Sequence, residues 1–417
     1  MGDMAEFARY LNVRRRELSV PGTRLREKLT NRSVLVTGAT GCVGSILLEQ
    51  LSTLNPAALI GVGLDEPMTR QAYVDYVFAD VRADSEMDQL FDRFRPDVVF
   101  HLAAQRDPGL AEKDVARTVT TNVLGTANIV DKALAFGVTD LVYASTGKAM
   151  RPYTRDVYAA SKKVAEWVVS RAGVEGGLSV TAARFTHIVD NSIVLEKFRA
   201  LCRKGSVLPV HDPNATFYVQ SAIESAQLLM ASLLVGQMHR PAVCAINNLG
   251  WPFRVLDIAD GVIHEVGNRV AVDIVGEELG YEQGVYPGLF DSKLSGDISP
   301  LINVLEARSL LDVGLPEIDA ALLQPPSSYI TDSNFETLLK LCADSSSDDL
   351  IKKCMDDLLY EMLAATLALT PDHVIKRMVK FSAQPRGSAS TQYSHARIDE
   401  LLHERARDSK SDLVTRR

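Results

Sequence analysis

The sequence predicts an α/β protein: a Rossmann-type, doubly wound parallel sheet, followed by a smaller C-terminal substrate-binding region and a helical C-terminal extension. From Ser33 to about residue 190, short apolar strands alternate with segments of helical periodicity, which is typical of parallel strands joined by right-handed crossovers. The strands are nearly continuous runs of Val, Leu, Ile and Ala, as expected when helices cover both faces of a sheet. A glycine-rich turn follows the first strand and opens the first helix of this pattern.

Length and composition narrow the class of protein. A chain of 417 residues is long enough for two or three structural units. Hydrophobic residues make up 46% and charged residues 24%, as in ordinary soluble globular proteins. The formal net charge is −8 and the pI about 5.6, which argues against nucleic acid as the main partner, because phosphate binding needs a basic surface.

The cysteines and the N-terminal residues give an indication of the cellular compartment of the protein. The five cysteines lack C-x-x-C spacing and predict reduced thiols rather than a disulfide frame or a zinc site. No apolar run approaches the ~20 residues needed to span a bilayer. The first residues lack a signal-peptide core, and Glu6 stands where a myristoylation motif needs Ser or Thr. We therefore expect a cytoplasmic protein without a metal site or a membrane span.

The glycine turn, in "VTGATGCVG", has the pattern G-x-x-G-x-x-G. In this pattern Gly38 allows a tight turn, Gly41 lets the backbone approach a pyrophosphate, and Gly44 lets the helix pack on the strand. The backbone N–H groups of the turn, together with the helix dipole, would hold the phosphates. The turn therefore predicts a dinucleotide site; its remaining members are Thr40, Cys42 and Val43.

The residues after the second strand indicate which dinucleotide binds. Asp65 follows that strand, where a carboxylate can accept hydrogen bonds from both ribose hydroxyls of NAD. Leu64 precedes it, so no cation stands there for a 2′-phosphate, although Arg70 is near. The spacing favours NAD without excluding NADP, and Asp65 as a solvated loop acid remains an alternative. Asp80 and Val81 are expected adenine contacts.

A cluster of hydroxyls and lysines lies downstream of this turn. Tyr158 and Lys162 are four residues apart and share one face of a predicted helix. A nearby ammonium lowers the pKa of a phenol, so Tyr158 could take a hydroxyl proton while hydride leaves the adjacent carbon. Thr146 or Ser145, at the end of the preceding strand, could hydrogen-bond the same hydroxyl. Two surface residues of an amphipathic helix are the alternative interpretation.

These motifs resemble those of the extended short-chain dehydrogenases/reductases, and in particular the UDP-N-acetylglucosamine 4,6-dehydratases and related capsular-polysaccharide-biosynthesis proteins. The resemblance covers about residues 31–235 and is carried by "VTGATGCVGS", "FADVR", "FRPDVVFHLAA", "TNVLGTANIV", "STGKA" and "VYAASKKVAE". It implies a Rossmann fold, a bound nicotinamide and a nucleotide-sugar substrate that is transiently oxidised at C4. It also implies further cofactor contacts at Leu102, Ala103, Ala104 and Asn122.

The chain departs from the family pattern on the sugar side. The dehydratases carry Ser-Thr-Asp-Lys where this chain has Gly147 before Lys148, so the usual acid for expelling the C6 hydroxyl is missing. Arg106 and Asp107 replace a Lys-His pair. In the lid, His187 and Phe217 stand where asparagine and arginine usually contact the diphosphate, and Asn191 is a further expected substrate contact.

Three functions follow as expectations. The first is an NAD(P)-dependent nucleotide-sugar dehydratase or epimerase, with Lys148 as the base for the adjacent carbon acid and Asp107 as a possible replacement acid. The second is a ketoreductase or dehydrogenase with net cofactor turnover. The third is a cofactor-binding scaffold without catalysis.

The predicted units are an N-terminal helical extension (1–30), an NAD(P)-binding domain (31–190), a substrate-binding region (191–320) and a helical extension (321–417). The last unit is predicted to be helical because an apolar stripe recurs at helical spacing in its first half, and its polar end, from about residue 383, is expected to be mobile. This stripe predicts a homodimer or higher homo-oligomer, or a cap over the cleft; packing within one chain is an equal alternative.

Overall fold

The structure is a computed structural model, and it describes residues 4–276, 280, 285–289, 297–344, 346–381 and 389–415. The strands in this part of the chain are β1 Ser33–Thr37, β2 Ala58–Gly63, β3 Asp75–Phe78, β4 Val98–His101, β5 Asp140–Thr146, β6 Ser179–Phe185, β7 His187–Ile188, β8 Leu208–Val210, β9 Thr216–Phe217, β10 Val219–Gln220, β11 Ala242–Ile246, β12 Phe253–Arg254, β13 Val272–Ile274, β14 Leu310–Leu311 and β15 Ile318–Leu322.

The helices of the described chain alternate with these strands up to residue 235 and then dominate after residue 328. They are α1 Met4–Asn12, α2 Gly22–Leu29, α3 Cys42–Ser52, α4 Asp84–Phe94, α5 Pro108–Lys113, α6 Val115–Val119, α7 Gly125–Ala135, α8 Val157–Glu175, α9 Ile193–Arg203, α10 Ala222–Val235, α11 Val255–Val266, α12 Tyr329–Ala343, α13 Asp348–Ala368, α14 Asp372–Phe381 and α15 Ala389–Thr415.

The large sheet has the strand order β14-β15-β11-β6-β5-β4-β1-β2-β3. Strands β1 to β6 and β11 run parallel, whereas β14 and β15 add an antiparallel edge. The strand order reverses at β1, which lies between β2 and β4, and a crevice for ligands forms at the carboxyl ends of strands at such a reversal. The fold predicted from alternation is confirmed, and the glycine turn lies at this crevice.

A second, smaller core forms a lobe beside the carboxyl ends of the strands. Its buried side chains come from α9, β8, β10 and α11, and also from the N-terminal helix α1. The predicted N-terminal helices are therefore present, and α1 belongs to the wall of the lobe. The large sheet also extends past residue 190, since β11 and β15 pair there although they lie in the range predicted for the substrate-binding region.

The C-terminal extension packs on the large domain within the same chain. The Trp167 ring on α8 meets Phe335 on α12 edge-on, with 4.9 Å between ring centroids. Lys352 on α13 pairs with Glu112 at 2.6 Å. The tail expected to be mobile from about residue 383 instead contains α15, where Ile398 and Leu402 are buried; residues 382–388 lie outside the described part. Within the described residues, no helix is long and apolar enough to cross a membrane.

Candidate active site

The glycine turn fits closely against the end of β4. Gly38 has a φ of +67°, and a Cβ there would lie 2.8 Å from the Ala103 backbone nitrogen. A Cβ on Gly44 would lie 2.2 Å from the Gly38 carbonyl oxygen, so α3 can pack here only through glycine. Gly41 is exposed at the start of α3, and the first N–H groups of a helix have no partner within it. The predicted geometry of a phosphate cradle is present, with Thr40, Cys42 and Val43 around it.

A buried hydrogen-bond chain fixes the residues beside this turn. Thr126 donates to the Asn122 carbonyl at 2.7 Å, so its oxygen accepts from His101 Nε2 at 3.0 Å. His101 Nδ1 then accepts from Thr37 at 2.7 Å, and the Thr37 oxygen accepts from the Ala103 N–H at 3.1 Å. Burial, with the Lys162 charge, lowers the pKa of His101 to about 3, so the ring is neutral. Sequence reasoning missed this chain; its signal was a histidine inside the apolar run "VVFHLAA".

The acidic residues after β2 and β3 differ in their partners. Asp65 lies exposed two residues past β2 and forms no ion pair or hydrogen bond with a described residue. Arg70 is held by Glu66 at 2.9 Å and is therefore not directed at a 2′-phosphate. Asp80 is bound by Arg82 at 2.6 Å, and this hydrogen bond lowers the pKa of Asp80. Asp65 remains open to a ligand, whereas Asp80 is already occupied.

The Asn122 side chain lies between two parts of the crevice and hydrogen-bonds to both. It lies in a π-helical turn, Thr120–Leu124, and its side chain is almost fully buried. Its amide donates to the Gln105 carbonyl at 3.0 Å and to Ser161 on α8 at 2.9 Å. The Asn122 side chain therefore links the β4 loop to helix α8, and its contact with a cofactor stays a prediction. Leu102, Ala103 and Ala104 lie in the loop that it holds.

Tyr158 lies at the start of α8, within reach of Thr146 on β5. Burial raises the pKa of Tyr158 to about 12, and a side-chain hydrogen bond with Thr146 only partly opposes this. Lys162 Nζ donates to the Ala144 carbonyl at 2.6 Å and lies 4.3 Å from the centroid of the Tyr143 ring. Burial lowers the pKa of Lys162 to about 7, against the opposing charge of Glu166. The expectation that Lys162 lowers the pKa of Tyr158 is wrong for this arrangement.

Ser145 points away from Tyr158. Its hydroxyl donates to Glu166 at 2.6 Å, on the opposite side of β5 from Thr146. Glu166 is paired with Arg184 at 2.8 Å, and Arg184 also binds Glu306 at 2.6 Å. The predicted catalytic role of Ser145 is therefore not supported, because its hydroxyl belongs to a buried structural network.

Lys148, the expected base, and Asp107, the possible replacement acid, both make contacts within the protein. Lys148 Nζ pairs with the buried Asp156 carboxylate at 2.7 Å and donates to the Gly280 carbonyl at 2.9 Å. Asp107 caps α5 by accepting from the Gly109 N–H at 2.9 Å. Both side chains are therefore held by contacts within the protein.

The side chain of Leu301 lies against Gly147. A Cβ on Gly147 would lie 2.6 Å from Leu301 Cδ2 and 3.5 Å from the Phe185 carbonyl oxygen. The space that an aspartate side chain would need is filled by a buried leucine from a distant part of the chain.

The lobe side of the crevice brings together the predicted substrate residues. His187 hydrogen-bonds Ser192 at 2.7 Å and lies 3.3 Å from the Tyr10 hydroxyl, and its ring meets Phe217 at 4.9 Å. Burial, with the Arg106 charge, lowers the pKa of His187 to about 4, so it is a neutral polar contact.

Arg106 and Asn191 complete this side of the site. Arg106 is exposed and makes no hydrogen bond or ion pair with a described residue. The charge of Arg106 influences the pKa values of both Tyr158 and His187, so helix α8 and the lobe border the same crevice. Asn191 is partly exposed in the loop after β7.

A comparison with protein families identifies the chain. The family model described as polysaccharide biosynthesis protein matches residues 34–286, which include the glycine turn, the segments that carry Thr146 and Tyr158, and most of the lobe. The chain belongs to the polysaccharide biosynthesis protein family.

Individual relatives of this polysaccharide biosynthesis family member are distant. The probable polysaccharide biosynthesis protein EpsC of Bacillus subtilis is 26% identical over 278 residues, which are 63% of this chain and 46% of that protein. The chain thus spans about half the length of this curated relative. The UDP-N-acetylglucosamine 4,6-dehydratase (inverting) of Campylobacter jejuni is 22% identical over 326 residues, 73% of this chain and 93% of that protein.

Among solved structures, UDP-glucose 4-epimerase of Thermus thermophilus, in a complex with NAD, has a TM-score of 0.53 to this family member. The sequence identity is 20%, and the alignment covers 66% of this chain and 99% of the epimerase. The two proteins share a fold.

Proposed function

We propose that the protein is an NAD-dependent enzyme that modifies a nucleotide sugar through transient oxidation. The observation that carries this proposal is the position of Tyr158 and Thr146: Thr146 ends β5, and its hydroxyl lies close enough to the Tyr158 phenol to influence its pKa, beside the glycine turn. The family membership and the similarity to proteins named as nucleotide-sugar dehydratases and epimerases support the same function.

The cradle fits a dinucleotide by its own geometry. Gly38 and Gly44 leave space that any Cβ would fill, and the start of α3 offers N–H groups to a pyrophosphate. Asp65 would hold ribose hydroxyls, and Leu64 offers no cation to a 2′-phosphate, so NAD fits better than NADP. When bound, NAD supplies a hydride acceptor.

The chain's own residues would handle the protons. Tyr158 would take the proton of a sugar hydroxyl that Thr146 orients, and Lys162 would assist by its charge. Lys148 would abstract the proton of the carbon next to the ketone, once released from Asp156. Because Gly147 carries no acid, return of a proton to that carbon is favoured over loss of water. Epimerisation or proton exchange is therefore the expected outcome rather than dehydration.

Isotope exchange tests this function. The full-length protein is incubated with NAD and a panel of nucleotide sugars in deuterated water, and the products are examined by mass spectrometry and NMR. We expect deuterium at the carbon next to the transient ketone, and its loss in Lys148→Ala and Tyr158→Phe. Stoichiometric NADH without exchange would overturn the proposal in favour of a dehydrogenase with net cofactor turnover.

The position of Lys162 favours one alternative, a cofactor-binding scaffold without catalysis. Its ammonium donates to the Ala144 carbonyl, and the pKa of the Tyr158 phenol stays above its ordinary value. NAD binding without exchange or NADH formation, across the whole panel, would support this alternative.

For the oligomeric state and the cellular compartment, we propose a cytoplasmic homo-oligomer. Helices α12 and α13 cover α6 and α8 within the same chain, so an interface through α8 is excluded unless those helices move. Light scattering at micromolar concentrations would decide between monomer and oligomer.

A further inference from the structure

The segment before the first strand, residues 4–20, forms an N-terminal arm that is fixed to the lobe. It lies outside the part matched by the family model. Arg16 pairs with Glu224 at 3.0 Å, and the Leu18 N–H donates to Gln227 at 2.6 Å. Phe7 and Tyr10 are buried in the core of the lobe. The arm is therefore a built part of the crevice wall.

Arg14 differs from Arg9 and Arg16, two other arginines of the arm. Arg9 is bound to Glu6 and Arg16 to Glu224, whereas Arg14 forms no ion pair within the described residues. Its terminal nitrogen reaches only the Val189 carbonyl, at 3.5 Å, and its buried Nε finds no acceptor in the described chain. The buried Nε–H of Arg14 is therefore a donor that an anion in the crevice could satisfy.

The surroundings of Arg14 indicate where that anion lies. Cys42 is the first residue of α3, and although burial raises the pKa of its thiol to about 11, the charges of Arg106 and Arg14 both lower it. Both arginines therefore lie within electrostatic range of the start of α3, one on the β4 loop and the other on the arm. The helix N-terminus adds its own positive end. Asp190 opposes them, but its carboxylate accepts from the Ala222 N–H at 2.7 Å.

We propose that Arg14, supplied by the N-terminal arm, acts with Arg106 to bind the diphosphate of a nucleotide in this crevice. This inference rests on the proposed function, in which the crevice holds both a dinucleotide and a nucleotide sugar. The contact of Arg14 with Val189, in the loop that leads to Asn191, favours the diphosphate of the substrate over that of the cofactor.

Calorimetric titration of the full-length protein tests the inference with three probes: UDP, uridine and NAD. Arg14→Gln should weaken the binding of UDP by about tenfold or more, since a charge-assisted contact is lost. Uridine, which lacks the diphosphate, should bind as to the wild type. Arg14→Lys should fall in between. Arg15→Gln is the matched control, because Arg15 is an exposed arginine of the same short helix, and it should bind all probes normally.

The possible outcomes distinguish a failure of this inference from a failure of the proposed function. A loss of NAD binding in place of UDP binding would support the diphosphate contact and assign it to the cofactor. Unchanged binding of both UDP and NAD to Arg14→Gln would overturn the inference alone. Equal losses for UDP and uridine would also overturn it, since a role in folding the lobe would then suffice. A wild-type protein that binds neither UDP nor NAD would overturn the proposed function and this inference together.

Discussion

Tyr158 and Lys162, on helix α8, have pKa values that are shifted in opposite directions. Burial raises the pKa of Tyr158 to about 12 and lowers that of Lys162 to about 7. If catalysis needs the phenolate together with the ammonium, the active form is a minor population at neutral pH. Its amount follows the product of the two ionised fractions, so both groups shape the pH profile.

The first prediction is the pH dependence of kcat/KM for the substrate identified by exchange. Below pH about 7 the ammonium is fully formed and the phenolate fraction rises, so kcat/KM should rise about tenfold per pH unit. Above pH about 7 the ammonium fraction of Lys162 falls as the phenolate fraction of Tyr158 rises, so kcat/KM should become constant. In Lys162→Met, the rise should continue past pH about 7 at a lower overall rate. A plateau at the same pH in that variant would contradict the assignment.

A second prediction concerns Gly147. Gly147→Asp should destabilise the protein by about 1–3 kcal/mol, because its Cβ would meet Leu301 Cδ2 at 2.6 Å. The double variant Gly147→Asp with Leu301→Ala has room for the carboxyl group and should form a product lighter by one water. Thermal unfolding and mass spectrometry of the product measure the two effects. Dehydration by the wild-type protein would show that another residue supplies the acid.

The site positions that the sequence could predict are those that depend on local spacing. The glycine spacing and the Tyr158–Lys162 spacing each depend on one turn of chain. Alternation along β5 shows that Ser145 and Thr146 face opposite sides, but the sequence does not say which side holds the site. The partners that decide this, Glu166 and Arg184, come from separate elements. The same holds for Leu301, which fills the space beside Gly147.

At the scale of elements, a buried ionic network joins α8, β6 and the segment before β14. Arg184 is fully buried between Glu166 and Glu306, and Ser145 donates to Glu166. Burial raises the pKa of Glu166, but the charge of Arg184 outweighs this and lowers it. Such a network stabilises only while every member is present, since each charge left alone is costly.

The third prediction removes the central cation. Arg184→Leu should lower the free energy of unfolding by about 3–5 kcal/mol, because Glu166 and Glu306 lose their main partner and keep only Lys163, 3.7 Å from each, as a cation. Arg269→Leu, at an exposed arginine, should change it by less than about 0.5 kcal/mol. Urea denaturation measures both variants.

Acid should weaken the same network in the wild type. The lowered pKa of Glu166 contributes stability above the ordinary glutamate value, and this is lost as the pH falls below it. Equal stability of Arg184→Leu and the control variant would contradict the importance of the network.

At the scale of the whole molecule, periodicity was enough to predict the large sheet but not its edges. Strands β14 and β15 come from a Gly- and Pro-rich stretch without alternation, and pairing with β11 decides their structure. The N-terminal arm was predicted as helices, but its place in the lobe depends on contacts with residues far along the chain.

The C-terminal helices provide a test of how the molecule is held together. Trp167 on α8 is 3% exposed, and its indole N–H donates to the Pro326 carbonyl at 2.7 Å. Phe335 on α12 covers this ring. The chain has two tryptophans, and the other, Trp251, is 82% exposed. A Trp251→Phe background therefore makes Trp167 the sole fluorescent reporter of the contact between α8 and the C-terminal helices.

In that background, Phe335→Ala should move the emission of Trp167 to longer wavelength, because water reaches the ring when α12 loosens. It should also lower the free energy of unfolding by about 2 kcal/mol, through lost burial and the lost edge-on ring contact. Phe381→Ala, at the exposed end of α14, is the matched control and should change neither quantity. If the C-terminal helices instead fold independently of the sheet, Phe335→Ala will leave the emission unchanged and urea will give two separate transitions in the wild type. A single transition, with a red shift in Phe335→Ala alone, would show that these helices unfold together with α8 and the sheet beneath it.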